Sequence, residues 1–331
     1  MKKYINLTIS ACLLFVFGSA LAQNPNSVYF VSYDEITKII DGDTFKFKKS
    51  DKSHRLLCLD TEETFKGKDA FDKTSDISDR WLEFYYQVKI DKNSENPIKL
   101  ESPFGYETVQ WTTEFFKDVK KISVELDDTL RKVDVYGREL VYVFAEKDGK
   151  YINYNLECVK HGFSPYFNKY GNSSRYHSDF YEAQEFARKN RLGIWNPVSK
   201  CYPDYAERLI WWNKRAFQID NFNSKYHGNK AYVNLLNNDA VDRLEENIGK
   251  EITVFGNASD IYTTRYPYLI RLMIMKEISV DIYIEESESW MMKELDMRKM
   301  ESYFFYFSGV LEEYGNKFRM KLTNINQLYF E

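Results

Sequence analysis

The segment Ile39-Ile40-Asp41-Gly42-Asp43-Thr44-Phe45 sets an Asp-Gly-Asp turn between two apolar-alternating runs. Asp-Gly flanked in this way is a strong short-range hairpin signal. It is answered by Arg55-Leu56-Leu57-Cys58-Leu59-Asp60-Thr61-Glu62-Glu63, a short apolar strand that starts with a cation and ends in carboxylates. Antiparallel pairing brings Asp43 and the Asp60–Glu63 group to one end of a sheet. Clustered carboxylates raise one another's pKa unless a cation holds them. Hard oxygen ligands on loops favour calcium or magnesium. With Arg55 on the same strand as Asp60, a phosphate-binding cation stands beside a metal-type site, an arrangement suited to phosphoryl transfer.

The chain has 331 residues, 44% of them hydrophobic and 17% aromatic, which is enough for two domains with packed cores. The formal charge of −4 excludes a general basic coat, so polyanion binding has to come from local arginines and lysines or a metal. Residues 1–22 read as a secretory leader: Lys2 and Lys3, then an apolar run centred on 12–17, then Ala20-Leu21-Ala22 as a cleavage site. The expectation is an exported chain, periplasmic or extracellular, cut near Ala22. The rival is a lipoprotein box at Ile9-Ser10-Ala11-Cys12. A membrane span is not expected, because the apolar run is too short. Cys58, Cys158 and Cys201 remain, matching no zinc spacing and read as buried hydrophobes with room for one disulfide.

Strands are expected at about 35–40, 44–49 and 54–60, then at 122–126 and 140–145. Ile77, Trp81, Phe84, Tyr85 and Val88 fall at helical spacing within a polar stretch, 65–99. Helices are expected at 105–121, 152–161 and 176–190. Residues 198–220 read as a bridge to a second β unit over 221–331, with strands at about 251–262, 267–275, 278–284, 303–312 and 317–323 and a helix at 286–299. Three strands, a helix and two strands is the order of the OB barrel.

In their order, Ile40-Asp41-Gly42-Asp43-Thr44, Arg55 to Glu63, Tyr136-Gly137-Arg138 and Gly193-Ile194-Trp195 give residues 35–196 a resemblance to the staphylococcal nuclease family. The resemblance implies a mostly β, α+β fold: an OB-fold nuclease barrel with three helices over 23–197, followed here by an OB-like barrel. It implies a calcium-dependent phosphodiesterase acting on DNA or RNA and leaving 3′-phosphate ends. Asp43, Asp60 and the Thr61 carbonyl would be the metal ligands. Arg55, Glu63 and Arg138 would be catalytic, and Tyr136 and Tyr170 would line the substrate. No protein partner is identifiable.

Three departures from the family pattern stand out. Glu62 replaces a proline and is expected to add a carboxylate beside the metal. Val135 replaces a lysine, and 65–99 is an insertion. The alternative function is a non-catalytic nucleic-acid or partner-binding protein that keeps the fold. In the second unit Tyr262, Arg265, Tyr266, Tyr268 and Arg271 read as barrel packing and rim, with base clamping as the rival.

Overall fold

The computed structural model describes residues 29–31, 35–128, 130–315 and 317–331, so the expected leader lies outside the described residues. The first unit contains β1 (Phe30–Val31), β2 (Ile36–Asp41), β3 (Thr44–Phe47), β4 (Ser53–Leu56), β5 (Ile122–Glu125), β6 (Leu140–Lys147) and β7 (Lys150–Asn153). Its sheet runs β1-β5-β6-β4-β3-β2, with β7 also paired to β6. The β4–β6 pair is parallel, Arg55 facing Leu140. Phe45, Leu56, Val124, Val141 and Val143 fill the interior.

The second unit contains β8 (Tyr232–Asn234), β9 (Glu251–Gly256), β10 (Asp260–Tyr262), β11 (Tyr268–Met275), β12 (Ile278–Ile284), β13 (Phe305–Tyr314), β14 (Lys317–Lys321) and β15 (Leu328–Tyr329). The order is β10-β11-β12-β14-β13-β9-β8, with β15 on β13 and β12 parallel to β14. The strand expected over 251–262 is bent, and its halves β9 and β10 pair with β13 and β11 respectively. The path therefore leaves from and returns to one segment, around Val254, Ile270, Ile282, Phe307 and Met320. Both units share one plan, in which the third strand of five lies parallel to the fifth. This is the expected OB order.

The helices are α1 (Ala70–Ser78), α2 (Trp81–Asp91), α3 (Pro103–Phe116), α4 (Tyr154–Lys160), α5 (His177–Lys189), α6 (Tyr205–Tyr226), α7 (Ala240–Glu245) and α8 (Met297–Ser302). In the first unit α3, α4 and α5 are the three expected helices, and the insertion adds α1 and α2. The single helical stripe expected there is broken at Asp79–Arg80: Ser78 and Asp79 are weak helix formers, and Arg80 leaves the helical backbone with φ −117° and ψ 24°. The expected helix 286–299 is a 3₁₀ run, Glu286–Lys293, and then α8. The Asp296 side chain takes the Lys299 N–H at 2.9 Å and starts the chain afresh.

Most of the stretch expected to bridge the units, 198–220, is taken up by α6, which runs on to Tyr226. It is a strut packed on both sides. Trp212 meets Phe167 of the first unit edge-on at 4.8 Å. On the other side Phe222 stacks on Phe255 at 4.6 Å, and Gln218 exchanges two hydrogen bonds with the Phe304 backbone at 2.8 and 3.1 Å. Backbone bonds also join the units directly: Lys276 N–H donates to Val135 O at 2.8 Å and Asn238 N–H to Leu130 O at 2.7 Å. The three cysteines are free and buried, so the disulfide allowed by the sequence does not form. Burial pushes all three thiols up, which leaves them unreactive. Among the described residues, no helix is long and apolar enough to cross a membrane.

Candidate functional site

The Asp-Gly-Asp turn closes the β2–β3 hairpin with Asp41 opposite Thr44. Gly42 is required by close approach: a Cβ there would lie 2.6 Å from Thr108 Cγ2 and 2.7 Å from Thr61 Cγ2. Tyr154 donates its hydroxyl hydrogen to Gly42 O at 2.9 Å, which fixes the turn. Asp43 is thereby held inside the protein, 2% exposed, where a charge needs partners. It accepts from Thr44 Oγ1 at 2.9 Å and from Thr61 N–H at 3.0 Å, and Arg55 Nη1 donates to its Oδ1.

Arg55 lies on β4 opposite Thr44, so strand pairing alone sets its guanidinium beside the turn. Its Nη2 donates to Leu59 O and to Asp60 Oδ1, both at 3.0 Å. Cys58 has a φ of 63°, and this left-handed residue swings the chain out of the strand so that Asp60 returns towards Arg55. One guanidinium thus bridges Asp43 and Asp60. Lys99, from the insertion, donates to Asp60 Oδ1 as well.

The electrostatics of the two carboxylates differ. Burial raises Asp43 above the usual carboxylate range, against Arg55. Burial also opposes the charge of Asp60, but Lys99 and then Arg55 hold its pKa below the usual range. Arg55 is raised despite burial, because Asp43 and Asp60 favour its charge.

The expectation for Glu62 fails. It is 1% exposed and accepts from Tyr202 N–H at 2.5 Å, from Tyr205 Oη at 2.8 Å and from Ser102 Oγ. It therefore anchors the start of α3 and the lead into α6, and adds no open carboxylate beside the metal ligands. Burial pushes it up to about 7, against those hydrogen bonds. Gly105 makes this possible, since a Cβ there would overlap Glu63 O at 1.9 Å. Glu63 itself is half-buried, and its carboxylate has no hydrogen-bond or ion-pair partner among the described residues.

Arg138 does not join the Asp43–Asp60 pair. Its Nε and Nη2 both lie 2.7 Å from Asp134 Oδ2, and its guanidinium covers the Tyr136 ring at 5.5 Å. Arg55, Asp60, Tyr136, Arg138 and Tyr170 nevertheless line one cavity of about 580 Å³, which extends past α6 to Asn234 and Met273 of the second unit. Asp43, Thr61 and Glu63 are not on its wall. Arg271 is held by Asp281 through two bonds of 2.8 Å, so it offers no open clamp for bases.

Asp43, Asp60 and Thr61 supply only oxygen donors, and the buried Thr61 Oγ1 lacks a hydrogen-bond partner. Such a set fits a hard divalent cation in kind. Among the described residues, no three His, Cys, Asp or Glu stand together as a metal cluster, and Arg55 and Lys99 neutralise the two aspartates. The sequence reading missed Lys99, since nothing in a polar insertion marks one lysine out. Asp41 was visible in the turn, and its Oδ1 accepts the Asp43 N–H at 3.2 Å.

Residues 86–197 match the family model described as staphylococcal nuclease homologue. That span holds Tyr136, Arg138 and Tyr170, whereas Asp43, Arg55, Asp60, Thr61 and Glu63 lie upstream of it. The chain is also similar to an uncharacterized protein of Methanocaldococcus jannaschii, 26% identical over 166 residues, which is 50% of this chain and 72% of that relative. A domain of this kind supports a nuclease or nucleic-acid-binding function.

Proposed function

We propose that this chain, which carries a staphylococcal nuclease homologue domain, is an exported, calcium-dependent nuclease cutting DNA or RNA to 3′-phosphate ends. The observation that carries the reading is the Arg55 guanidinium bridging Asp43 and Asp60 on the wall of a cavity it shares with Arg138. Asp43, Asp60 and the Thr61 carbonyl would hold calcium, which when bound neutralises phosphate charge.

Arg55 and Arg138 are forked donors for non-bridging phosphate oxygens as charge grows in the transition state. Arg138 must share or leave Asp134 to act. Glu63, with its carboxylate unpartnered, orients or deprotonates the attacking water. Tyr136, 73% exposed, offers its ring beside Arg138 to the substrate, and Tyr170 lines the same cavity. Export rests on the Lys2-Lys3, apolar, Ala20-Leu21-Ala22 pattern, and amino-terminal sequencing of the mature protein checks it.

Purified protein should degrade oligonucleotides with calcium and stop with chelator, and phosphatase-sensitive 3′ ends should appear. One observation favours the non-catalytic reading: Lys99 and Arg55 already neutralise Asp60. Oligonucleotide binding without turnover under any divalent cation would establish that reading instead.

A further inference from the structure

Six cations line the cavity, and so do Asp60, Asp127, Asp128, Asp134 and Asp220. Along its wall Arg55 and Lys99 are engaged by Asp60, Arg138 by Asp134 and Arg208 by Asp204. Lys169 and Arg131 also line it, and among the described residues neither has a carboxylate partner. The Lys169 ammonium lies 4.0 Å from the Trp211 ring centre and 5.7 Å from that of Tyr170, without a hydrogen-bond acceptor. Arg131 stands over Tyr170 at 5.1 Å and, among the described residues, donates only to Tyr170 O, at 2.7 Å.

Behind them Arg215 is 2% exposed, and its guanidinium is satisfied by Lys169 O, Ser302 O and Asn257 Oδ1, with no carboxylate partner among the described residues. Aromatic faces offset part of such charge, but an ammonium still needs acceptors or a counter-ion. Burial, and then Arg215, pull Lys169 down to about 7. An anion in the cavity would relieve both.

We infer that Lys169 and Arg131, backed by Trp211 and Tyr170, form a second phosphate subsite that holds the polynucleotide chain away from the reacting end. The inference rests on the nucleic-acid reading above and extends it to α6, which lies beyond the matched family span. The same cavity runs from Arg55 past these cations to the second unit, which suits a chain with several phosphates better than a lone ion. A phosphate here accepts charge-assisted hydrogen bonds from both side chains. The subsite therefore selects substrates by length, with little reading of base identity.

The test is fluorescence-anisotropy binding of a labelled twelve-nucleotide oligothymidine with chelator present, between about 50 and 200 mM salt. Lys169→Met should weaken binding about tenfold, the effect of losing one charge-assisted contact. It should also flatten the slope of log affinity against log salt by about 0.7, one phosphate's share on a single strand. Arg131→Met should do the same. Lys230→Met, on a lysine remote from the cavity, should change neither. Thermal unfolding keeps the result interpretable: Lys169→Met should melt no lower than the parent, because it removes a charge without a partner.

Parental affinity and salt slope in both Lys169→Met and Arg131→Met would overturn the subsite, as would failure of the parent protein to bind the oligonucleotide. Stabilisation by inorganic phosphate that depends on Lys169, without oligonucleotide binding, would assign the cavity to a free anion and also overturn it. Salt-sensitive binding lost in the variants, with no turnover under calcium, would sink the nuclease reading and leave the subsite standing.

Discussion

The two barrels follow one strand order and use an arginine–aspartate contact in opposite ways. In the second unit Arg271 on β11 and Asp281 on β12 face each other across adjacent strands and close a bidentate pair at 2.8 Å. Ser279 completes the aspartate at 2.9 Å. In the first unit Arg55 is divided between Asp43, Asp60 and the Leu59 carbonyl, and Lys99 is needed as well. The closed pair occupies two of the Arg271 nitrogens, and Nη1 lies 3.4 Å from Tyr262 Oη. Around the Arg55 guanidinium the charges of Asp43, Asp60, Asp41 and Glu63 all act, so four acids converge on one cation besides Lys99. The difference lies in how many acids converge, since the sheet topology is the same.

The sharpest way to break this contrast is Arg55→Ala. It should lower turnover by about 10²–10³ and stability by about 3–5 kcal/mol, because two buried carboxylates lose their shared partner. Single-turnover kinetics and denaturant unfolding read the two effects. An Arg55→Lys variant should recover stability in part without turnover, since the planar fork is gone. If alanine at 55 left both quantities intact, the sharing would be without consequence.

Arg138→Ala should reduce kcat by a similar factor of about 10²–10³ while KM and melting temperature stay close to the parent values. Its ion pair with Asp134 is partly exposed and contributes only about 0–1 kcal/mol. Near-normal kcat would remove Arg138 from the chemistry.

Glu62→Gln tests the buried carboxylate that lies outside the shared set. A carboxyl pushed up to about 7 is protonated more readily in the folded than in the unfolded chain. Its contribution to stability is full below the ordinary glutamate range and is lost as pH rises through about 7. The parent should therefore lose on the order of 1–3 kcal/mol between pH 4.5 and 7, and the glutamine variant should lack that part of the slope. Equal slopes in thermal melts across this window would show that Glu62 remains ionised in its anchoring role.

The smallest effect belongs to the second barrel. Arg271→Ala should cost about 1 kcal/mol and leave kcat and oligonucleotide affinity unchanged. A loss of affinity would mean that the Arg271–Asp281 pair opens to substrate, which would erase the contrast drawn above.

Short-range sequence features set the local architecture of the site. The Asp-Gly-Asp turn fixes the hairpin, strand alternation places Arg55 beside it, and the apolar strand ends where Asp60 and Thr61 begin. These features depend on residues a few positions apart, where turn chemistry and a period of two act directly. The succession of strands along both barrels was legible for the same reason, apart from the added strands β1, β7, β8 and β15.

The tertiary structure alone decided which charge meets which partner. Glu62 looks open in the sequence, but Tyr202 and Tyr205 close over it from the start of α6. Lys99 reaches Asp60 from an insertion without a motif, and Asp134 claims Arg138. Lys169 and Trp211 meet only because α6 packs as a strut between the barrels. Each of these contacts except Arg138–Asp134 joins residues distant in the chain. For a buried charge the identity of its neighbour outweighs any local preference, because desolvation makes an unpaired group costly by several kcal/mol.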